Sequence, residues 1–259
     1  MSSFDRALQA LELFTSDKPF WTVDEAVEAL GGSRSTVYRY FRSLTQFGLL
    51  DFVGGRAYTL GPQVIELDKI LRRRDPLLQV VPAAVAKYRP DTALIMALHR
   101  MYRDRVVCTY VLCEDPDYEV LFQRGDRLPL FEQSSSLVLL ASLGARRLKE
   151  LYAGHADEAV HQGFAGGWEQ LSARLRQVRR QGVSVNKDVA HRLAVPVRDA
   201  DGTIIAALAQ TLVGALSPAG LETEIARMKT ISAHATELLA ALEDEEIARA
   251  PAPRGRKTA

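Results

Sequence analysis

The sequence predicts an α+β protein that begins with a winged helix-turn-helix domain and continues into a larger domain with a mostly antiparallel sheet. In the first sixty residues, three helical patterns are separated by turn signals and followed by two short alternating segments around Gly54-Gly55. From Pro76 onward, strand-like runs group near the start and the end, with helical stretches between them. This grouping is typical of α+β domains.

The composition excludes several classes of protein. Of 259 residues, 47% are hydrophobic and 25% are charged, which excludes a wholly disordered or collagen-like chain. The formal net charge of +1 excludes a polybasic chain but allows a local basic face. Two cysteines, Cys108 and Cys113, are too few for a disulfide framework and favour a reduced, cytoplasmic compartment. We find neither an apolar run long enough for a membrane helix nor a signal peptide, so no membrane partner is expected.

The first helix is predicted over residues 3–15, where apolar residues recur at helical spacing. They form two stripes: Phe4, Leu8 and Leu11, and Ala7, Ala10 and Phe14. Together the stripes are wider than a small three-helix core needs. We therefore expect one of them to meet a second copy of the chain.

The next signals mark a helix-turn-helix. Thr22 followed by Glu25 is a capping-box pattern, which starts the second helix. Gly31-Gly32 ends that helix in a tight turn, and Ser33 is placed to cap the third helix. The sequence thus predicts two helices joined by a short turn.

The third helix, residues 34–47, separates into two faces. Val37, Phe41 and Leu44 have inward-facing spacing, whereas the outward stripe consists of Ser35, Tyr38, Arg39 and Arg42.

Residues 33–60 hold four arginines against one acid, a local charge of +3. Such donors reach base edges and phosphates in the major groove of double-stranded DNA. The predicted DNA contacts are Arg34, Ser35, Thr36, Tyr38, Arg39, Arg42 and, at the hairpin tip, Arg56. The alternative is a solvated helix face that happens to carry arginines.

Residues 62–75 predict a linker helix between the domains. Pro62 suits its first turn, and Arg72-Arg73-Arg74 precede a break at Asp75-Pro76. The three arginines fit either a phosphate backbone or a solvated helix end favoured by the macrodipole. At the other end of the chain, residues 246–259 predict a disordered basic tail, either solvated or in contact with phosphates.

The domain boundaries follow from these patterns. The winged helix-turn-helix domain is predicted over residues 1–61 and the second domain over residues 76–245. The predicted helices of the second domain span 77–88, 134–143, 145–152, 168–180 and 218–245. Its predicted strands span 93–98, 105–112, 118–122, 192–199 and 203–213.

The chain resembles the IclR family of bacterial transcription factors. The family's Ser-Thr-Val, helix-ending Gly and Tyr-x-Leu-Gly are matched by Ser35-Thr36-Val37, Gly48 and Tyr58-Thr59-Leu60-Gly61. The family's effector-binding domain is matched by RLPLFEQSS, QVRRQGVSV and LAVPVRDADGTIIAALA within residues 76–242. The resemblance implies a GAF-like sheet around a pocket for a small organic acid effector. It also implies operator DNA as a partner and a homodimer or dimer of dimers.

The predicted pocket departs from the family pattern. Ser136-Leu137-Val138 replaces the family's Gly-Lys-Ala, and Arg192 stands where the family has Cys. Serines that begin a helix favour an anion, and an arginine can grip a carboxylate with two hydrogen bonds. The effector-binding candidates are Ser134, Ser135, Ser136, Arg192 and, by its family position, Thr211. The alternatives are simple helix capping for the serines and pairing of Arg192 with an acid such as Asp188.

No catalytic motif is evident. The sequence lacks a Gly-x-Ser-x-Gly elbow, a phosphate loop and a dinucleotide fingerprint, and its five histidines are scattered. We therefore predict no catalytic residue, no metal and no cofactor. The leading hypothesis is a ligand-responsive, DNA-binding transcription factor. The alternative is an α+β small-molecule-binding or catalytic domain with an N-terminal protein-interaction module.

Overall fold

The computed structural model describes residues 2–89, 95–115, 123–186, 191–212, 214 and 216–249. The chain divides into two compact units, residues 1–75 and residues 76–259. The first unit contains the helix-turn-helix and the helix that the sequence predicts as a linker. The second contains the large sheet.

The first unit is the predicted winged helix-turn-helix. Its helices are α1 (Ser3–Gln9), α2 (Val23–Leu30), α3 (Arg34–Gln46) and α4 (Gln63–Arg74), and its wing strands are β1 (Leu50–Val53) and β2 (Ala57–Leu60). The first helix is shorter than predicted, since α1 ends at Gln9 and a 3₁₀ helix follows over Ala10–Leu13. Ala10 and Phe14 are buried at this tighter segment, so tertiary packing rather than local spacing sets the end of α1.

An aromatic cluster forms the core of the first unit. Phe41 of α3 is fully buried, and its ring lies 6.3 Å from that of Phe14 and 4.8 Å from that of Tyr58. Trp21 forms an isolated antiparallel bridge with Tyr58. One face of α3 therefore holds the amino-terminal segment and the wing together.

The caps and turns of this unit have the chemistry that the sequence predicts. Thr22 and Glu25 form a reciprocal capping box at the start of α2. The hydrogen bond from the Thr22 amide is the main reason that the pKa of Glu25 falls to about 2. In the wing, Gly54 and Gly55 have φ values of 60° and 72°, in the left-handed region that favours glycine.

Helix α4 has no buried residue. Its apolar side chains Ile65, Ile70 and Leu71 are 73%, 58% and 61% exposed. Arg72 donates from Nε to a carboxylate oxygen of Asp68, one turn earlier, at 2.6 Å. This contact is the one expected of a solvated helix end, the second of the two interpretations of the arginine triplet.

The second unit is a six-stranded sheet in the order β5-β4-β3-β8-β7-β6. Its strands are β3 (Ile95–Tyr102), β4 (Arg105–Cys113), β5 (Arg127–Leu128), β6 (Ser184–Asn186), β7 (His191–Arg198) and β8 (Ile204–Leu212). Its helices are α5 (Leu77–Lys87), α6 (Ser134–Ser142), α7 (Ala145–Gly154), α8 (Ala156–His161), α9 (Gly167–Gln181) and α10 (Pro218–Arg249). The described strand pairs are all antiparallel, which confirms the predicted α+β class.

Several element boundaries differ from the prediction. The short elements α8, β5 and β6 were not predicted, because runs of two to six residues carry little periodic signal. Helix α10 extends to Arg249 instead of ending at residue 245, so the predicted tail begins within it. Residues 250–259 of that tail and the strand predicted at 118–122 lie outside the described residues.

Alternation along the strands divides the second unit into two cores. One face of the sheet, with large residues such as Leu193 and Val195, packs against α5 and α10. The other face is lined by small residues, including Ala97, Ala194 and Ala207, and packs against α6. Eight of the nine residues of α6 are buried. This helix therefore forms the central layer of the second core.

We expect Phe41→Ala to lower the free energy of unfolding of the first unit by about 3–5 kcal/mol, because it leaves a cavity among packed rings. The matched control is Phe47→Ala, since the Phe47 side chain is 71% exposed. This control should cost no more than about 0.5 kcal/mol. Urea unfolding followed by circular dichroism measures both, and equal losses would contradict the assigned core.

Candidate functional site

The exposed face of α3 is the first candidate site. Val37 and Leu44 are buried on the face that carries Phe41, which fixes the rotation of the helix. The opposite face exposes Ser35, Tyr38, Arg39 and Arg42. Two guanidiniums, a phenol and a hydroxyl therefore project from one side of a helix whose other side is anchored in the core.

The residues at the start of α3 have partners within the first unit. Arg34 donates from Nε to a carboxylate oxygen of Asp24 at 2.6 Å, and this hydrogen bond raises the pKa of Arg34. Both side chains are at least 70% exposed, so water or another anion can replace either partner. The Ser33 hydroxyl oxygen lies 3.0 Å from that of Ser35 and 2.9 Å from that of Thr36. The predicted contacts at this end are thus part of the helix cap.

The wing adds a basic tip to this surface. Arg56 is exposed directly after the Gly54-Gly55 turn. Phe52 and Val53 on β1 are 47% and 41% exposed. Within the described part of the chain, Arg39, Arg42 and Arg56 form no ion pair. The first unit therefore presents three guanidiniums without an acidic partner on α3 and the wing.

The second candidate site lies on the sheet face that packs against α6. Arg192 on β7 is directly paired with Thr211 on β8. The Ser134 hydroxyl, at the start of α6, donates to the carbonyl of Arg192 at 2.8 Å. The Arg192 guanidinium donates from Nη1 to the amide oxygen of Gln133 at 3.2 Å. The helix start, the arginine and the threonine therefore meet, while Asp188 lies outside the described residues.

The three serines are buried and bind different parts of the unit. The Ser135 hydroxyl lies 2.9 Å from Nδ1 of His99 on β3, and the Ser136 hydroxyl donates to the carbonyl of Pro129 at 2.7 Å. With Ser134 they are at most 3% exposed. A carboxylate needs hydrogen-bond donors, and the protons of Ser134 and Ser136 are already engaged. The first-turn amides of α6, which no helical carbonyl accepts, suit an anion, and the Arg192 guanidinium lies at the same end of the helix.

His99 is a residue of this site that the sequence does not single out. It is 1% exposed, and its neighbours across the sheet are Cys108 and Ala207. Burial lowers the pKa of His99 to about 4 and raises that of the Cys108 thiol to about 11. Both groups are therefore neutral near pH 7. Only the pairing of distant strands places His99 beneath α6, so no local pattern could have identified it.

Among the described residues, no group of three His, Cys, Asp or Glu side chains could hold a metal ion. No described helix is both long and apolar enough to cross a membrane. His155 lies 3.0 Å from a carboxylate oxygen of Glu158 and 3.7 Å from one of Asp104, and these are ion pairs only when the ring is protonated.

Comparison with known sequences relates both units to regulators. Residues 3–54 match the family model of the IclR helix-turn-helix domain. The chain is 26% identical over 216 residues to the HTH-type transcriptional regulator XynR of Escherichia coli, covering 80% of this chain and 84% of that protein. It is 28% identical over 231 residues to the Pca regulon regulatory protein of Pseudomonas putida, covering 86% of this chain and 78% of that protein.

Solved structures share the fold. An IclR family transcriptional regulator of Brucella abortus superposes with a TM-score of 0.75 at 17% identity, covering 92% of each chain. An IclR homolog of Microbacterium hydrocarbonoxydans, complexed with 4-hydroxybenzoate, gives a TM-score of 0.68 at 23% identity. That match covers 93% of this chain and 100% of the homolog. These similarities extend across both units and support the same arrangement of helix-turn-helix and sheet in sequence.

We expect His99 to make the second unit less stable as the pH falls from 7.5 to 5. The pKa of His99 is about 4 in the folded chain, and unfolding returns it to about 6.5. Between these values the unfolded chain binds a proton that the folded chain does not. The stabilisation is therefore fully present above pH 6.5 and is lost progressively below it, by about 2 kcal/mol at pH 5.

Urea unfolding of the wild type and His99→Gln at pH 7.5 and pH 5 measures this effect. Glutamine does not titrate, and its amide can still form a hydrogen bond with Ser135. The variant should lose about 2 kcal/mol less than the wild type between the two pH values. The same pH dependence in both proteins would rule out a buried, neutral His99.

Proposed function

We propose that the chain is a transcriptional regulator of the IclR family, to which its sequence is similar, and that a small organic carboxylate controls its binding to operator DNA. The proposal of DNA binding rests on helix α3, which has one buried face and one exposed face. Its buried face fixes the helix in the core, and its exposed face presents Arg39 and Arg42. Operator DNA, in the bacterial cytoplasm, is the proposed macromolecular partner.

The proposed DNA-binding surface combines α3 and the wing. It consists of Arg34, Ser35, Thr36, Tyr38, Arg39, Arg42 and Arg56. In a winged helix-turn-helix the recognition helix enters the major groove, so Tyr38, Arg39 and Arg42 are assigned to base edges and phosphates there. Arg56 is assigned to a neighbouring phosphate. Arg34 can join them by exchanging Asp24 for a phosphate, because their ion pair is exposed.

The proposed effector is a small organic acid held between β7, β8 and the start of α6. Arg192 supplies a guanidinium for a bidentate contact with the carboxylate, and Thr211 lies beside it. The first-turn amides of α6 favour the same charge. The 4-hydroxybenzoate bound to the Microbacterium homolog is a carboxylate and supports this class of ligand.

Ser134, Ser135 and Ser136 take a different part in this proposal from the one that the sequence suggests. Ser134 joins α6 to the backbone of Arg192, and its two neighbours join α6 to His99 and Pro129. We assign them to the wall of the effector site. A ligand that pulls on Arg192 then acts on α6 through the Ser134 hydrogen bond.

Nucleophilic catalysis is a poorer account of this site. The Ser135 hydroxyl oxygen lies 2.9 Å from Nδ1 of His99, a distance at which a base can activate a nucleophile. Ser135 is only 2% exposed, however, and with a pKa of about 4 His99 is a weak base at neutral pH. The described contacts of the site favour ligand binding.

We also propose that two copies pair through α1, giving a homodimer that can assemble further into a dimer of dimers. Phe4 and Leu8 on this helix are 70% and 44% exposed, whereas Ala10 and Phe14 enter the core. A two-fold dimer places two α3 helices on half-sites about one turn of DNA apart.

Salt dependence tests the DNA proposal. A dimer with about 8 phosphate contacts should show a slope near −7 in a plot of log affinity against log salt concentration. Arg39→Ala and Arg42→Ala should each weaken binding by about 1–3 kcal/mol, with a shallower slope where a phosphate contact is lost. Fluorescence anisotropy measures these values on an operator selected from random DNA.

The control for these variants is Arg146→Ala, because the Arg146 side chain on α7 is 93% exposed and lies in the other unit. It should leave operator affinity unchanged. A slope near zero would assign the first unit to protein contacts instead. Unchanged affinity in both α3 variants would remove α3 from the interface.

Arg192→Ala should abolish the response to the cognate acid and leave operator affinity nearly unchanged, because the ligand loses its main counter-charge. Calorimetry with the acid found in a thermal-shift screen of carboxylates measures the loss. The control is Arg176→Ala, an exposed arginine on α9. Affinity that survives Arg192→Ala within about threefold, roughly 0.6 kcal/mol, would remove Arg192 from the site.

Leu8→Glu should convert the dimer into monomers and weaken operator binding, since a charge then interrupts the apolar stripe of α1. The matched control is Gln9→Glu, which adds the same charge at an exposed position of the same helix. Light scattering gives the mass of each protein. A dimer that persists in Leu8→Glu with full operator affinity would place the interface elsewhere.

A further inference from the structure

A cavity in the sheet-containing unit lies at the opposite end of α6 from Arg192. Its volume is about 360 Å³, within the range of sites that enclose small ligands. It is bordered by the carboxyl-terminal ends of α6 and α9 and by the turn between β7 and β8. Its apolar lining consists of Val138, Ala141, Val178, Pro196 and Ile204.

The charges that line this cavity are all positive. Arg179 donates to the carbonyls of Ala141 and Leu143, and Arg198 donates from Nη1 to the carbonyl of Gly202 at 2.7 Å. These bonds hold both guanidiniums in place and leave further N–H groups on each. No carboxylate of the described residues pairs with either arginine.

The acidic side chains nearest in sequence, Asp199 and Asp201, belong to the β7–β8 turn, and neither lines the cavity. The carboxylate of Asp199 accepts a hydrogen bond from the Thr203 amide at 2.8 Å and so closes the turn. The excess positive charge of Arg179 and Arg198 is therefore not neutralised within the cavity.

We propose that this cavity is a second ligand site, which binds a small carboxylic acid with an apolar body. The two guanidiniums in its lining attract an anion and offer paired N–H groups that match a carboxylate. The apolar lining, with Val138 and Ile204 among its residues, suits a hydrocarbon or aromatic group. An inorganic anion would fill only the charged part of the cavity.

This site is separate from the proposed effector site. Arg192 and Arg198 are six residues apart on β7, which corresponds to about 20 Å along a strand. Helix α6 contacts both places: the Ser134 hydroxyl donates to the Arg192 carbonyl, and Val138 and Ala141 line this cavity. The inference depends on the cavity alone and does not require that Arg192 bind an effector.

Calorimetry of the full-length chain with benzoate as the probe tests the inference. Arg198→Gln removes one charge from the cavity, and Thr203→Phe fills it from its exposed edge while keeping both arginines. Each should weaken the binding of benzoate to this site at least tenfold. Arg176→Gln, the same change at an exposed position of α9, and Arg192→Gln should leave this binding unchanged. Inorganic phosphate should bind at least tenfold more weakly than benzoate.

Several results would overturn the inference. These are the absence of benzoate binding to the wild type at millimolar concentration, unchanged binding in both cavity variants, and phosphate binding as tight as that of benzoate. Loss of binding in Arg192→Gln alone would place benzoate at the proposed effector site, supporting that proposal and contradicting this one. If circular dichroism shows that Arg198→Gln is unfolded, Thr203→Phe decides the question alone.

Discussion

The three serine hydroxyls buried at the start of α6 constrain the whole second unit. A buried hydroxyl without a partner costs about 1–3 kcal/mol, so each must find one as the helix packs. Their partners are on β7, on β3 and in the segment before α6. Meeting all three at once fixes the position and rotation of α6 over the sheet. The small residues of that sheet face, such as Ala194 and Ala207, make room for the helix to approach.

This constraint also couples the ligand-facing parts of the unit. A rigid, almost fully buried helix cannot move at its amino end without moving at its carboxyl end. The ligand that we propose at Arg192 would therefore act on an element that also borders the Arg179 and Arg198 cavity. Such a ligand could shift a conformational equilibrium only by its difference in affinity for the two conformations. In this proposal, the hydrogen bond between Ser134 and the Arg192 carbonyl links the ligand to α6.

Local signals determine how far the sequence predicts the fold. The capping box of Thr22 and Glu25, the two faces of α3 and the Gly54-Gly55 turn depend on residues close in sequence, and the structure confirms them. The early end of α1 depends instead on packing of Phe14 against Phe41, which no local pattern contains. The hydrogen-bond partners of the three serines of α6 are likewise absent from any local pattern. Their place at a helix start is visible in the sequence, whereas their bonds to other elements, as with His99, arise only from strand pairing.

If Arg192 holds the effector as proposed, its guanidinium determines what kind of ligand the site selects. A half-buried guanidinium loses part of its hydration and gains more from a charged acceptor than from a neutral one such as Gln133. Thr211 and the α6 amides add further donors, and Ala194 adds only a small apolar surface. On the proposed function, a carboxylate matches these donors better than a neutral ligand does, and the selectivity for anions follows from the donors.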